Sequence, residues 1–306
     1  MADWRKIPEA GTVAGIRLLV WITRLFGRRV VGWVLYIVAF YYALLRPSVR
    51  RASREYLTKV GQPARFRDVV RHVHVFARVS LDRLFFVTGK VTPFTFEQKN
   101  HDQIVKVATE RKGVLLIGAH VGSFEAMRAR AREFKVPINV VVDFSNAEKI
   151  NGVLRSLSAD LETKLIALGE DPLAAMLEIK AAIDRGELVA ILGDRAPAPD
   201  ALPRAKTSAP RAVDSEFLGA PATFPAGPWL IAHALKCPVY FVAGLFTPPN
   251  HYALQFELLA DEVRLDRKDR AASLSRYART YAEVLENHVR AAPLNWFNFY
   301  DFWTRK

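Results

Sequence analysis

The stretch GVLLIGAHVGSFE, residues 113–125, joins a short apolar run to the beginning of a helical pattern. Residues 113–118 are almost entirely apolar and predict a buried strand, while residues 123–134 predict a helix. Ser123 is a suitable N-cap for that helix, and Glu125 falls in its first turn, where negative charge is favourable. In open α/β sheets the reacting groups collect where strands end and helices begin, so this junction is a candidate site.

The same alternation continues on both sides of this junction. Strands are predicted at 113–118, 137–142, 164–168, 187–192, 238–246 and 252–259, and helices at 63–88, 123–134, 147–162, 172–185 and 267–290. Strands that alternate with helices indicate crossover connections and a parallel sheet. The expected fold class is therefore α/β, with a mixed, mainly parallel sheet flanked by helices. Residues 194–215 contain four prolines and predict a long irregular loop.

The N-terminal part has a different composition. The 16 residues 30–45, VVGWVLYIVAFYYALL, carry no charge. A helix of this length covers roughly 24 Å, less than the ~30 Å hydrocarbon core of a bilayer. We expect residues 1–60 to be a helical membrane-anchor region that spans or lies on the bilayer; a buried pair of core helices is the alternative. The basic residues that bracket the apolar run are Arg24, Arg28, Arg29, Arg46, Arg50, Arg51 and Arg54.

The charge balance restricts the possible partners. The chain has 44 basic and 31 acidic residues, a formal net charge of +13, which favours anionic partners such as nucleic acid, acidic lipids or an acidic carrier protein. Basic and aromatic residues do not interleave as in nucleic-acid-binding motifs, so no nucleic acid is expected. The single cysteine, Cys237, excludes an intrachain disulfide and a cysteine-based zinc site, and no metal is expected. His72 and His74 lie two apart on a predicted helix and are interpreted as helix surface.

His120 and Glu125 are the candidates for chemistry at the strand–helix junction. The turn between them brings the two side chains together, so that the carboxylate holds one imidazole nitrogen while the other accepts a proton from a hydroxyl. Gly118 and Gly122 would let a substrate approach the backbone. Roughly 0.7 pairs with this spacing are expected by chance in such a composition. On spacing alone, a purely structural histidine beside a favourably placed Glu125 is an equal alternative.

Four sequence blocks resemble a known family. The stretch GAHVGSFEAMRA at 118–129 resembles the catalytic His-x4-Asp/Glu block of the lysophospholipid acyltransferase superfamily, in the branch of the lipid A biosynthesis (lauroyl/myristoyl) acyltransferases. LVAILGDR at 188–195, FLGAPATFPAGP at 217–228 and the tryptophan-rich ending NWFNFYDFW at 295–303 resemble later blocks, in the same order. The resemblance covers most of the chain and is more specific than the His–Glu spacing.

The resemblance implies roles for individual residues. His120 would be the general base and Glu125 its orienting partner. Asp194 and Arg195 would shape or charge the acceptor pocket. The further residues expected to bind substrate are Gly122, Arg155, Gly219, Thr223 and Gly227. The aromatic residues of the C-terminal ending are assigned to the core or to a membrane interface.

The function implied is that of a membrane-associated acyltransferase at the cytoplasmic face of the bacterial inner membrane, with residues 61–306 as the acyltransferase domain. The acyl chain would move from an acyl carrier protein or coenzyme A thioester to a hydroxyl or amine of a lipid or glycolipid acceptor. No bound cofactor is needed. Two alternatives remain: a non-catalytic basic protein that binds membrane surfaces, and a thioesterase or other hydrolase that uses the same dyad on water.

Overall fold

The protein is represented by a computed structural model that describes residues 13–99, 110, 113–131, 137–142, 165–167, 172–196 and 210–303. The N-terminal part forms α1 (Val13–Leu45), α2 (Pro47–Lys59) and α3 (Phe66–Val87). Gly27 interrupts α1 with a φ of 76°, which glycine adopts without the steric cost of a side chain. Pro47 begins α2, where a missing backbone N–H costs nothing. The chain turns by 100° between 30–45 and α2.

The remaining elements are strands with helices between several of them. Within the described ranges they are β1 (Thr95–Lys99), β2 (Val114–Gly122), α4 (Phe124–Ala131), β3 (Ile138–Val142), β4 (Leu165–Ala167), α5 (Pro172–Asp184), β5 (Leu188–Leu192), β6 (Ala212–Phe217), β7 (Ala220–Pro225), α6 (Gly227–Leu235), β8 (Val239–Thr247), β9 (His251–Ala260) and α7 (Arg270–Ala291). The helix predicted at 147–162 lies outside the described residues.

In the described part of the chain, seven strands form the main sheet in the order β1-β9-β8-β2-β5-β3-β4, and β6 and β7 form a separate hairpin. Strand β9 runs antiparallel to β8, and the other neighbouring pairs of the sheet are parallel. The predicted α/β class with a mixed, mainly parallel sheet is confirmed. Parallel strands buried on both faces are continuously apolar, which explains the run that begins β2.

Strand β2 lies in the middle of the sheet and contributes to two hydrophobic cores. Leu115 and Ile117 belong to the core shared with α7, and Leu116 belongs to the core shared with α3. All three are almost completely buried. Each contributes roughly 1.5–3 kcal/mol by leaving water, which holds β2 between the two hydrophobic cores. The pairing of β2 with β5 and β8 sets its register and so fixes the position of the residues at its carboxyl end.

Helix α1 packs against α3 along a stripe of every fourth residue. Val31 and Leu35 are buried against Leu81 of α3. An ion pair adds to this contact, because the Arg28 guanidinium lies 2.5 Å from both carboxylate oxygens of Asp82. The hydroxyl of Tyr252 on β9 donates to the same carboxylate at 2.8 Å. The N-terminal helices are therefore tied to β9 of the sheet.

The opposite side of α1 is exposed and apolar. Trp33 is 78% exposed and Leu45 71% exposed. We call the side chains of Trp33, Ile37, Tyr41, Leu44 and Leu45 the apolar face of α1. Among the described helices, none is by itself both long and apolar enough to cross a bilayer. Residues 30–45 and α2 meet that requirement only together, across the 100° bend.

Three strands differ from the sequence prediction. Strands β1 and β7 were not predicted, and the loop predicted over 194–215 ends earlier, because β6 begins at Ala212. Residues 197–209 of that loop lie outside the described residues. The hairpin of β6 and β7 packs on α7 and is held there by a hydrogen bond from the Leu218 backbone N–H to Glu286 at 2.7 Å. Contacts far apart in sequence therefore determine where the loop ends.

Candidate active site

His120 and Asp194 meet where two neighbouring parallel strands end. His120 lies on β2, and Asp194 follows β5 by two residues. The register pairs Gly118 with Leu192, so both carboxyl ends lie at the same edge of the sheet. Nδ1 of His120 is 2.8 Å from Asp194 Oδ1, and the backbone N–H of His120 donates to Oδ2 at 3.0 Å. One carboxylate thus holds both the ring and the backbone of the histidine.

The C-terminal segment completes the surroundings of Asp194. The indole N–H of Trp296 donates to Oδ2 at 3.1 Å, and the side-chain amide of Asn298 donates to it at 2.9 Å. The segment is fixed beside β2, because the backbone N–H of Phe297 donates to the His120 carbonyl at 2.8 Å. Asp194 is fully buried and accepts four hydrogen bonds, which compensate the cost of burying its charge.

Ionisation of this pair follows from its surroundings. Burial by itself would raise the pKa of Asp194, but the interactions with His120 and the charge of Arg195 outweigh it, and the pKa is held below its usual value. Asp194 is therefore a carboxylate, which only accepts hydrogen bonds, so Nδ1 of His120 carries the proton. Burial also lowers the pKa of His120, as does Arg195, against the opposing effect of Asp194. The ring is therefore neutral at neutral pH.

The second ring nitrogen of His120 has the properties of a general base. Since Nδ1 carries the proton, Nε2 has a free lone pair. Within the part of the chain that the structure describes, Nε2 has no hydrogen-bond partner, and the side chain is 27% exposed. A hydroxyl that reaches Nε2 could transfer its proton there, while Asp194 stabilises the resulting imidazolium.

Glu125 occupies a different position from the one predicted. It lies in the first turn of α4, and its Oε1 is 2.5 Å from Nε of Arg83 on α3. The carboxylate that holds Nδ1 of His120 is that of Asp194, so the expected orienting contact from Glu125 is replaced. The physical reason is that β2 continues beyond His120 to Gly122 before α4 begins, which places Glu125 against α3. A catalytic role of Glu125 stays a prediction.

Arg195 contacts the C-terminal segment. Its Nε donates to the side-chain oxygen of Asn298 at 2.7 Å, and Nη2 donates to the Phe297 carbonyl at 3.3 Å. The guanidinium also lies 5.7 Å from the centroid of the Tyr300 ring. Arg195 therefore connects the end of β5 to the segment that surrounds Asp194. The acceptor-pocket role predicted for Asp194 and Arg195 stays a prediction.

Gly122 has a structural requirement of its own. Its φ is +60°, and a Cβ at this position would lie 1.9 Å from the carbonyl oxygen of Gly244 on β8. The backbones approach closely here, and the N–H of Ser123 donates to that carbonyl at 2.8 Å. A side chain would separate β2 from β8 just beyond His120. The predicted contact of Gly122 with substrate remains untested.

The other residues expected to bind substrate lie on the hairpin and the following helix. Gly219 is in the turn between β6 and β7, and Gly227 is the first residue of α6. Thr223 on β7 donates to Asp214 of β6 at 2.8 Å. The hairpin reaches the site indirectly, because the Phe217 and Trp296 rings pack with centroids 5.3 Å apart. Arg155 lies outside the described residues. Their role in binding stays a prediction.

Three residues near the site were not found from the sequence. Trp296 and Asn298 belong to the ending that was assigned to the core or a membrane interface, yet both bind Asp194. Polar Asn298 within an aromatic segment was a usable signal, because buried amides need partners. The interpretation of His72 as helix surface was wrong. It is fully buried, with Nδ1 2.9 Å from Ser53 Oγ and Nε2 2.8 Å from the Trp296 carbonyl.

Comparison with known proteins agrees with the sequence resemblance. A search of curated proteins gave no match. The family model for bacterial lipid A biosynthesis acyltransferases matches residues 83–305, which is more than half of the chain and includes His120, Asp194 and the C-terminal segment. The chain therefore belongs to the bacterial lipid A biosynthesis acyltransferase family, whose members are acyltransferases acting on lipid substrates.

Proposed function

We propose that this protein transfers an acyl chain from a thioester donor to a hydroxyl or amine of a lipid or glycolipid, with His120 as the general base. Nε2 takes the proton from the hydroxyl or amine of the lipid while the oxygen or nitrogen of that group forms a bond to the thioester carbonyl carbon. The C–S bond then breaks, and His120 returns the proton to the leaving thiolate. The observation that carries the proposal is the 2.8 Å contact between His120 Nδ1 and Asp194, which puts the ring proton on Nδ1; among the described residues Nε2 has no hydrogen-bond partner.

Stabilisation of the tetrahedral intermediate is assigned to backbone N–H groups at the start of α4 or to a basic side chain. The acyl-carrying co-substrate is an acyl carrier protein or coenzyme A thioester. The net charge of +13 supports a donor of this kind, because both carriers are anionic. A catalytic role is assigned to Glu125 beside His120. Further contacts with substrate are assigned to Gly122, Arg155, Asp194, Arg195, Gly219, Thr223 and Gly227.

Membrane attachment at the cytoplasmic face of the bacterial inner membrane is part of the proposal. The apolar face of α1 supports it, because large exposed apolar side chains on one side of a helix favour insertion into the interface. The next helix, α2, carries Arg50, Arg51 and Arg54, which line a groove of about 610 Å³. Their charges would attract anionic lipid headgroups.

Vesicle co-sedimentation tests the attachment. The double variant Trp33→Ser, Ile37→Ser should lose most of its binding to phosphatidylglycerol-containing vesicles. The matched control is Leu173→Ser, Leu177→Ser on α5, which removes two leucines that are 69% and 60% exposed. Control binding should equal that of the wild type. Equal binding by both double variants would contradict the assignment to α1.

The catalytic proposal is tested with labelled acyl-carrier-protein and acyl-coenzyme A pools and a bacterial membrane lipid extract. Wild type is compared with His120→Gln and with the control His251→Gln at the start of β9. Labelled lipid should form with wild type and control and vanish with His120→Gln. Labelled free fatty acid that forms equally with and without acceptor lipid would indicate a hydrolase. If wild type and His120→Gln form the same amount of labelled lipid with every donor, the role of His120 is structural and not catalytic.

A further inference from the structure

A chain of hydrogen bonds leads from the N-terminal helices to His120. Ser53 on α2 bonds to Nδ1 of His72 on α3, and Nε2 of His72 bonds to the Trp296 carbonyl. A carbonyl only accepts, so Nε2 of His72 is the donor and Nδ1 accepts from the Ser53 hydroxyl. The indole N–H of Trp296 then donates to Asp194, which holds His120. Every donor and acceptor in this chain therefore has a defined direction.

Burial makes each link of this chain specific. The side chains of Ser53, His72, Trp296 and Asp194 are all fully buried. Water cannot replace a lost partner at such positions, so a missing hydrogen bond leaves a group unpaired. The Trp296 ring is also fixed sideways by Tyr56 of α2, with ring centroids 4.9 Å apart. The indole N–H has little freedom to turn away from Asp194.

We propose that Trp296 and His72 are positioning residues for the base His120, acting through Asp194. Trp296 holds the Asp194 carboxylate and shares its negative charge, and His72, directed by Ser53, holds the backbone of Trp296. The inference rests on the proposed function only in taking His120 as the base. Ser53 and His72 lie before residue 83, where the family match begins, so α2 and the first part of α3 contribute to the site from outside the matched region.

The expected effect of Trp296 on His120 has a definite sign. Loss of the indole donor leaves more of the carboxylate's negative charge to act on the imidazole. The imidazolium is then favoured, and the pKa of His120 rises. Among the described residues, the other charged or titratable groups that face Asp194 are Arg195, Tyr281 and Tyr300, and none of them is changed by a substitution at Trp296.

Nuclear magnetic resonance titration of protein labelled at histidine Cε1 tests the proposal without any activity assay. The His120 signal is assigned by its loss in His120→Gln. Trp296→Phe should raise the pKa of His120 by about 0.5 or more. Trp303→Phe is the matched control, because its indole donates to the Phe217 carbonyl at 3.2 Å in the same aromatic cluster. An unchanged pKa in folded Trp296→Phe, or an equal rise in both variants, would overturn the proposal.

A second pair of variants tests His72. His72→Gln keeps a side-chain N–H near the Trp296 carbonyl, whereas His72→Phe removes it. We expect His72→Phe to shift the His120 pKa in the same direction as Trp296→Phe and to lower kcat about tenfold at unchanged KM. His72→Gln should restore most of both. If His72→Phe does not fold, Ser53→Ala serves instead, because it removes the donor that directs His72. A His120 pKa in His72→Phe, or in its substitute Ser53→Ala, that equals the wild-type pKa would exclude positioning by His72.

Failure of this inference can be distinguished from failure of the proposed function. The titration reports the surroundings of His120 whether or not the protein transfers an acyl chain. A rise of the pKa in Trp296→Phe, together with an inactive wild type, would support the positioning chain and reject the reaction. If wild type is active and Trp296→Phe changes neither the His120 pKa nor kcat, the reaction is supported and the positioning chain is rejected.

Discussion

Asp194 is hydrogen-bonded to His120 at two points: Oδ1 lies 2.8 Å from the ring Nδ1, and Oδ2 lies 3.0 Å from the backbone nitrogen. Two contacts from one carboxylate fix the ring relative to its own strand. In the proposed reaction His120 is therefore aligned before substrate arrives, and its ring needs no reorganisation when the proton moves. The importance of Asp194 for activity should exceed that of a residue that only lines a pocket.

Asp194→Asn should lower kcat by about 10²–10⁴-fold and leave KM nearly unchanged. The amide keeps the shape of the side chain, but it has lost the charge and one of the two acceptor oxygens that hold His120. Steady-state acyl transfer measures the effect. Asp214→Asn, at an exposed position on β6, is the matched control and should keep wild-type kcat. A fall of less than about threefold in Asp194→Asn would contradict the role of the carboxylate.

The pH dependence of kcat/KM should show an acidic limb below the ordinary histidine pKa of 6.5. Burial and Arg195 lower the pKa of His120, and only the neutral ring accepts a proton. Activity should therefore be retained as the pH falls through 6.5 and lost at lower pH. Because Asp194 raises this pKa, the residual activity of Asp194→Asn should have its limb at still lower pH. A limb above 6.5 would contradict a neutral, buried base.

Much of the sheet could be predicted from the sequence, because buried parallel strands are continuously apolar. Residues 187–192 were predicted as a strand, and the structure places β5 at Leu188–Leu192. Strand β1, with the sequence TFEQK, was not predicted because it is an edge strand whose residues are exposed or only partly buried. An edge strand needs no apolar run, and its existence depends on pairing with β9, far away in the sequence.

The site could be predicted in part. His120 and Asp194 were each identified, but their contact joins residues that are 74 positions apart. That contact depends on the adjacency of β2 and β5, and strand order is a property of the whole sheet rather than of local pattern. The spacing of His120 and Glu125 suggested the nearer carboxylate instead. Trp296 and Asn298 reach Asp194 only because the ending of the chain folds back beside β2.

His72 should make the stability of the protein depend on pH. Burial lowers the pKa of His72 to about 4, from 6.5 in the unfolded chain. The unfolded state therefore binds more protons between these values, and stability is lost as the pH falls from 6.5 toward 4. At pH 5 the loss is about 2 kcal/mol. Urea unfolding at pH 7 and pH 5 gives the free energies of unfolding of wild type and of His72→Gln, in which residue 72 does not titrate. The difference between the two proteins should be smaller at pH 5 than at pH 7 by this amount. A constant gap would contradict burial of a neutral His72.

Gly122 and Gly219 should respond differently to alanine, although both have positive φ, +60° and +72°. Around Gly219 a Cβ meets nothing within 4 Å, so Gly219→Ala should cost only the backbone strain of about 1–2 kcal/mol. A Cβ on Gly122 would lie 1.9 Å from the Gly244 carbonyl oxygen, and the strands must move apart. Gly122→Ala should therefore cost roughly 3 kcal/mol or more in urea unfolding. It should also reduce acyl transfer, because the end of β2 carries His120. Equal costs for the two variants would show that β2 and β8 separate without penalty.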